Sequence, residues 1–175
     1  MVHSVIENFF AKDMLAVVDY DEYDVWGFQS KLEASNALES FFKWYEDHKD
    51  KYKIKFTERV VVGENLGGTI DTGIQGIEDP NKVILVDYKT SSGIYLSMFL
   101  QLIGYVTIYE EVYGPDTIEG VMVIQMDKKY GDKANSRFIS REKLEPIITA
   151  FKCLYNTAVM MKYLNNTWYE LTDSF

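Results

Sequence analysis

A chain of 175 residues, 47% hydrophobic and holding 13 Tyr and 10 Phe, is long and apolar enough for one well-packed domain spanning 1–175, and is not a disordered chain. A net charge of −9 and a pI near 4.7 argue against strong non-specific attraction to phosphate backbones, which needs basic surface. The single Cys153 excludes an intrachain disulfide framework, no run of about 20 apolar residues offers a membrane span, and the N-terminus lacks a basic region followed by an apolar one; a soluble, cytoplasmic protein without a membrane partner is expected.

In chain order, Val2 to Phe10 reads as a helix with Val5, Ile6, Phe9 and Phe10 on its apolar stripe. His3, one of two histidines, falls in its first turn. The run Asp19-Tyr-Asp-Glu-Tyr-Asp24 reads as a solvated acidic loop. Phe28 to about Lys49 is an amphipathic helix with Leu32, Leu38, Phe41, Phe42 and Tyr45 on the buried side, so residues 1–50 form an N-terminal helical section. His48 sits near its C-terminus, where a cation suits the helix dipole, and receives no catalytic role. Lys53 to Val62 alternates as a strand with Ile54, Phe56, Val60 and Val62 on one face. Glu58 falls on that same apolar face, where a carboxylate is costly unless it is functional or paired, for example with Lys89.

The densest stretch is Gly67 to Tyr105. Gly68 to Ile74 is a short β-branched strand containing Asp71, and Gln75-Gly-Ile-Glu-Asp-Pro-Asn81 is a turn-rich connection suited to a hairpin. Val83-Ile-Leu-Val-Asp-Tyr-Lys89 reads as a buried central strand that turns polar at its end. Side chains alternate along a strand, so Asp87 and Lys89 share a face with Tyr88 opposite, and hairpin pairing brings Asp71 beside Asp87. Gly67 and Gly68 let a backbone approach closely. After the loop Thr90-Ser-Ser-Gly93, Ile94 to about Val112 is an apolar helix on which Gln101 and Tyr105, four apart, share one face. A carboxylate set with few nitrogens favours Mg2+ or Mn2+ over zinc.

Downstream, Ile118 to Met126 and Ser136 to Ile139 read as strands. Ser140 is an N-cap candidate for a long helix from Arg141 to about Leu164 bearing Leu144, Ile147, Ile148, Phe151 and Leu154. The order of elements suits an α/β fold with a mixed central sheet flanked by helices. Basic residues concentrate in two runs, Lys49, Lys51, Lys53, Lys55 and Arg59, then Lys128, Lys129, Lys133, Arg137, Arg141 and Lys143, either of which can track a phosphate backbone or serve as solvated edge.

The sequence of a glycine-led Asp strand, Asp-x-Lys-Thr, and a helix with Gln-x-x-x-Tyr resembles the nuclease core of the PD-(D/E)xK superfamily, RecB-like branch. That branch includes CRISPR-associated RecB-like exonucleases and short phage-encoded nucleases. A histidine in an N-terminal helix, followed by an apolar residue and Glu, also belongs to the pattern, and His3 in Met1–Glu7 matches it. The resemblance covers nearly the whole chain, loosely outside the motifs. It implies a restriction-endonuclease-like core with its catalytic part over 53–126 and a closing strand and helix over 136–165. It implies Mg2+- or Mn2+-dependent hydrolysis of DNA, single-stranded or at duplex ends, as an exonuclease of recombination, repair or phage DNA processing. Asp71 and Asp87 would hold the metal with His3 and the Tyr88 carbonyl. Lys89 would orient water or stabilise the phosphate, Gln101 and Tyr105 would position substrate, and Glu58 would assist. The four cysteines of the iron–sulfur cluster found in several relatives are missing. A separate helicase or recombination partner and a homo-oligomer are compatible with this reading. Its rivals are a restriction-type endonuclease, a catalytically silent nucleic-acid-binding or protein-interaction module on the same fold, and an unrelated α/β enzyme.

Overall fold

The computed structural model describes residues 2–12 and 27–171. The acidic run Asp19–Asp24 lies outside them. The elements are α1 (Val2–Lys12), α2 (Phe28–His48), β1 (Ile54–Val62), β2 (Gly67–Gln75), β3 (Val83–Lys89), α3 (Leu96–Tyr113), β4 (Ile118–Gln125), β5 (Asn135–Ser140) and α4 (Arg141–Leu171). They follow the order that the hydrophobic periodicities predict. Among the described residues, no helix is long and apolar enough to cross a membrane.

The five strands form one open mixed sheet in the order β1-β2-β3-β4-β5. β3 and β4 are parallel and the other neighbours antiparallel. A parallel pair needs a long crossover, and α3 supplies it. The β2–β3 turn is held by a carboxylate from β4: the N–H groups of Ile77, Glu78 and Asp79 donate to Glu119 at 2.9, 3.1 and 3.0 Å.

Each face of the sheet carries its own core. On one, Val83 and Leu85 of β3 and Val121 and Val123 of β4 pack against Leu102, Ile103 and Val106 of α3 and Leu144 and Ile148 of α4. On the other, Ile84, Val86 and Tyr88 with Met122 and Ile124 pack against Val5 and Ile6 of α1 and Ala37, Phe41 and Trp44 of α2. A strand covered on both faces must be apolar throughout, which is why β3 is buried from Val83 to Tyr88. Its two polar residues, Asp87 and Lys89, therefore look toward the α3 side.

The alternation in β1 differs from the sequence reading. Phe56 and Val61, of opposite parity, enter the same core, while Val60 and Val62 are 68% and 70% exposed. The register with β2 slips by one residue between Ile54 and Phe56, and Glu58 beyond it has a φ of 44°, in the left-handed region that a side chain disfavours. Leu32 of α2 is exposed, while Ala34 is buried and Ala37 joins the core against the sheet. In α4, Ile147 and Leu154 point away from the core, and among its described side chains Leu144 and Ile148 are the buried ones. A single sheet face can cover one stripe of a helix, and the wider apolar pattern exceeds it. β5 runs directly into α4 at Ser140–Arg141, with no loop between them.

Phe56 lies flat over Gly73 of β2, where an added Cβ would stand 2.3 Å from the ring. Gly73→Ala should therefore lower stability by about 2 kcal/mol or more through overpacking. Urea unfolding checks this, with Gly67→Ala as control, since a Cβ there meets nothing closer than 3.5 Å.

Candidate active site

The β2–β3 ladder ends at the Thr72–Val86 pair. Past that point β2 stays with β1 and leaves β3, which opens the sheet between Asp71 and Asp87. The Asp71 side chain fills the gap: its Oδ2 accepts the Tyr88 N–H at 2.8 Å, replacing a lost ladder bond. The parted strands thus fix one carboxylate by backbone contact.

Asp87 follows on β3 with only 2% of its surface exposed. Lys89, two residues on and on the same face, places Nζ 2.9 Å from Asp87 Oδ1 and 2.8 Å from Oδ2. The same ammonium donates to Gln101 Oε1 at 3.1 Å, and Gln101 Nε2 donates to the Tyr105 hydroxyl at 3.1 Å. One helical turn of α3 thus extends the charged pair into a chain of four polar groups. The Tyr105 ring covers Gly68, where a Cβ would fall 2.6 Å from ring carbon Cε1. The close approach allowed by this glycine serves Tyr105.

The third wall comes from α1. His3 Nδ1 stands 3.5 Å from Asp71 Oδ2. Its ring meets Tyr88 edge-on at 6.1 Å, and burial of Val5 and Ile6 ties the short helix down. Glu58 lies opposite Asp71, between the Thr57–Thr72 and Arg59–Ile70 pairs. Ligand atoms of His3, Glu58 and Asp71 all lie within 4.8 Å of one another. The strained φ at Glu58 turns this carboxylate toward the group. Glu58 forms no ion pair with Lys89, which among the described residues pairs with Asp87. The Tyr88 side chain is buried against Phe41 in the opposite core.

The electrostatics describe a site short of positive charge. Burial, outweighing the Lys89 hydrogen bond and aided by Asp71, pushes the Asp87 carboxyl up to about 6. Asp87 Oδ2 is fully buried and accepts no hydrogen bond, although Lys89 stands beside it. Burial, with help from Asp71 and Glu7, also raises Glu58, and the Asp71 contact holds the His3 proton more tightly than usual. Three carboxylates around one imidazole are costly unless a cation joins them. The donor set of two carboxylates and one imidazole within ligand reach, with a third buried carboxylate alongside, fits a hard divalent ion.

The basic runs contribute less than their length suggests. Lys49 pairs with Glu46, Lys133 with Asp47, and Arg141 with Glu110 and Glu145. Arg59 stacks on the Phe56 ring, 4.0 Å from its centroid. Lys128 differs by position: it lines a cavity of about 270 Å³ that also contains His3 and Thr90. The sequence marks Lys128 only as one member of a basic run. Its place beside the site depends on the β4 end lying next to the β3 end.

No protein-family model matches the chain, and no curated protein matches it.

Proposed function

We propose that the chain is a divalent-metal-dependent nuclease that hydrolyses phosphodiester bonds in DNA on a restriction-endonuclease-like core, acting as an exonuclease. The observation that carries this reading is the convergence of Asp71, Asp87 and Lys89 where two strands part, with Gln101 and Tyr105 hydrogen-bonded onto Lys89. A buried acid raised to about 6 beside the His3, Glu58 and Asp71 ligand atoms supports a cation-binding site. Mg2+ or Mn2+ would be held by Asp71 and Asp87 with His3, Glu58 or the Tyr88 carbonyl. When bound, such an ion polarises a phosphate oxygen and acidifies water.

The protein's own groups have separable roles. Asp71 is held by the Tyr88 N–H, so it keeps its direction as substrate enters. Lys89, a point charge on a flexible stem, shifts from Asp87 toward negative charge developing on the phosphate. Gln101 accepts from the ammonium and donates to Tyr105, so the amide and phenol support Lys89 from behind. Rising pH deprotonates Asp87 and His3, and both changes favour metal binding, so activity should climb through about pH 6.

The test is cleavage of end-labelled linear and circular DNA, single- and double-stranded, with Mn2+, Mg2+ or EDTA. Metal-dependent loss of linear DNA with circles spared is expected. Cut circles would assign a restriction-type endonuclease. Absence of cleavage by folded protein with either metal would leave the silent binding module.

A further inference from the structure

The carboxyl ends of the parallel strands β3 and β4 lie side by side, at Lys89 and Gln125. In open α/β sheets that is where ligands enter, in the crevice beyond the strand ends. Two cavities occupy it here. The smaller, about 270 Å³, contains His3, Ser30, Thr90 and Lys128. The larger, about 470 Å³, contains Gln29, Ser91, Ser92 and Lys129. Both are lined by Glu33 and Lys128, so the two are halves of one trough divided by that pair.

We propose that this trough is the track for a single nucleic-acid strand leaving the candidate active site, and that Lys128 binds the phosphate next to the reacting one. The inference rests on the nuclease reading and adds the path of the substrate to it. Several features support an anionic, unpaired strand. The first turn of α2 carries no acidic residue and brings the positive end of a 21-residue helix to the trough. The Ser30 hydroxyl adds a neutral polar group along it, while Ser91 donates to the Gly93 carbonyl at 2.7 Å and Ser92 shares a hydrogen bond with the Tyr95 hydroxyl at 2.8 Å. Lys128 is aimed by its backbone, because Asn36 Nδ2 of α2 donates to the carbonyls of Lys128 and Lys129 at 3.2 and 2.9 Å.

The two carboxylates present do not block an anion. Asp127 spends its charge on the N–H groups of Lys129, Tyr130 and Asp132 at 2.9, 3.2 and 3.2 Å. Glu33 is bound to Lys128 Nζ at 2.9 Å, with both side chains well exposed. An exposed pair of this kind is weak, so an arriving phosphate displaces the carboxylate. Bases can rest on the exposed Leu32, which lines the larger cavity.

The two members of the pair should behave oppositely. The probe is a fluorescein-labelled oligo-dT of about 12 nucleotides, within the usual site sizes for single-strand binders. Its binding is measured by anisotropy with Ca2+ in place of Mg2+, with intact probe verified on a gel, beside a hairpin duplex. Lys128→Gln should weaken oligo-dT binding about 5-fold or more and reduce the slope of log K against log salt by about 0.7. Glu33→Gln should tighten it, because Lys128 is released. Circular dichroism and wild-type-like unfolding establish that both variants fold. If the wild type cleaves DNA but the two variants bind oligo-dT as it does, the track is wrong and the nuclease reading stands. Equal weakening of duplex and single strand by Lys128→Gln overturns the single-strand assignment. A wild type that neither binds nor cleaves overturns both readings.

Discussion

Lys89→Ala should lower kcat by about 10³-fold, some 4 kcal/mol of transition-state stabilisation, with the fold intact. The ammonium sits between Asp87 and Gln101 and, among the described residues, is the cation in direct contact with Asp87. Its removal has two consequences that the assay must separate. Asp87 loses a group that lowers its pKa, so it holds its proton more tightly and binds metal less well. The negative charge developing on the phosphate also loses its counter-charge. Titrating Mn2+ to saturation at pH 8 removes the first effect and leaves the second. Activity retained by Lys89→Ala at saturating metal would remove Lys89 from the chemistry. The expected fold is unchanged because a carboxyl already raised to about 6 takes up a proton rather than remaining as a buried, unpaired charge.

Asp87→Asn should abolish activity and, without metal, make the protein more stable at pH 8. The folded-state pKa of about 6 lies above the ordinary carboxylate value of 3.8. The folded state therefore binds this proton more tightly than the unfolded chain. The stability that the proton confers is fully present below about pH 4 and is lost as pH rises through about 6. For this one group the loss is on the order of 2–3 kcal/mol. Asparagine is neutral at every pH and avoids it, while its carbonyl can still accept from Lys89. Thermal unfolding of wild type and variant in EDTA at pH 4.5 and 8 checks the sign: the difference should grow with pH. Mn2+ should raise the wild-type Tm at pH 8 and leave the variant's nearly unmoved, since binding to the native state alone stabilises it. A variant less stable than wild type at pH 8 in EDTA would make Asp87 a structural partner of Lys89. Stability gained where function is lost is the usual mark of a site that strains its fold.

Much of the molecule could be read along the chain. The nine elements and their order follow from periodicity, because α3 and β3 are apolar over the lengths that each structure requires. The link from Gln101 to Tyr105 follows from four-residue spacing, and that from Asp87 to Lys89 from two-residue spacing. These are local relations, and the geometry of helix and strand fixes them wherever the element lies.

The rest depended on which elements meet. Alternation gave Glu58 the face of Val60 and Val62, but the left-handed residue at Glu58 breaks that alternation and turns it toward Asp71 and His3. Leu154 belongs to an apolar pattern and is nevertheless 73% exposed, since α4 outruns the sheet that covers its first turns. Lys128 is indistinguishable from its basic neighbours until the parallel pairing of β3 and β4 sets it beside His3. The sequence by itself determined the elements and the chemistry that each one carries, because dihedral preference and side-chain period are local. Which carboxylates gather beside His3 and which lysine faces them were left to the tertiary structure, because those depend on contacts between residues tens of positions apart, set by sheet register and by the point where β2 leaves β3.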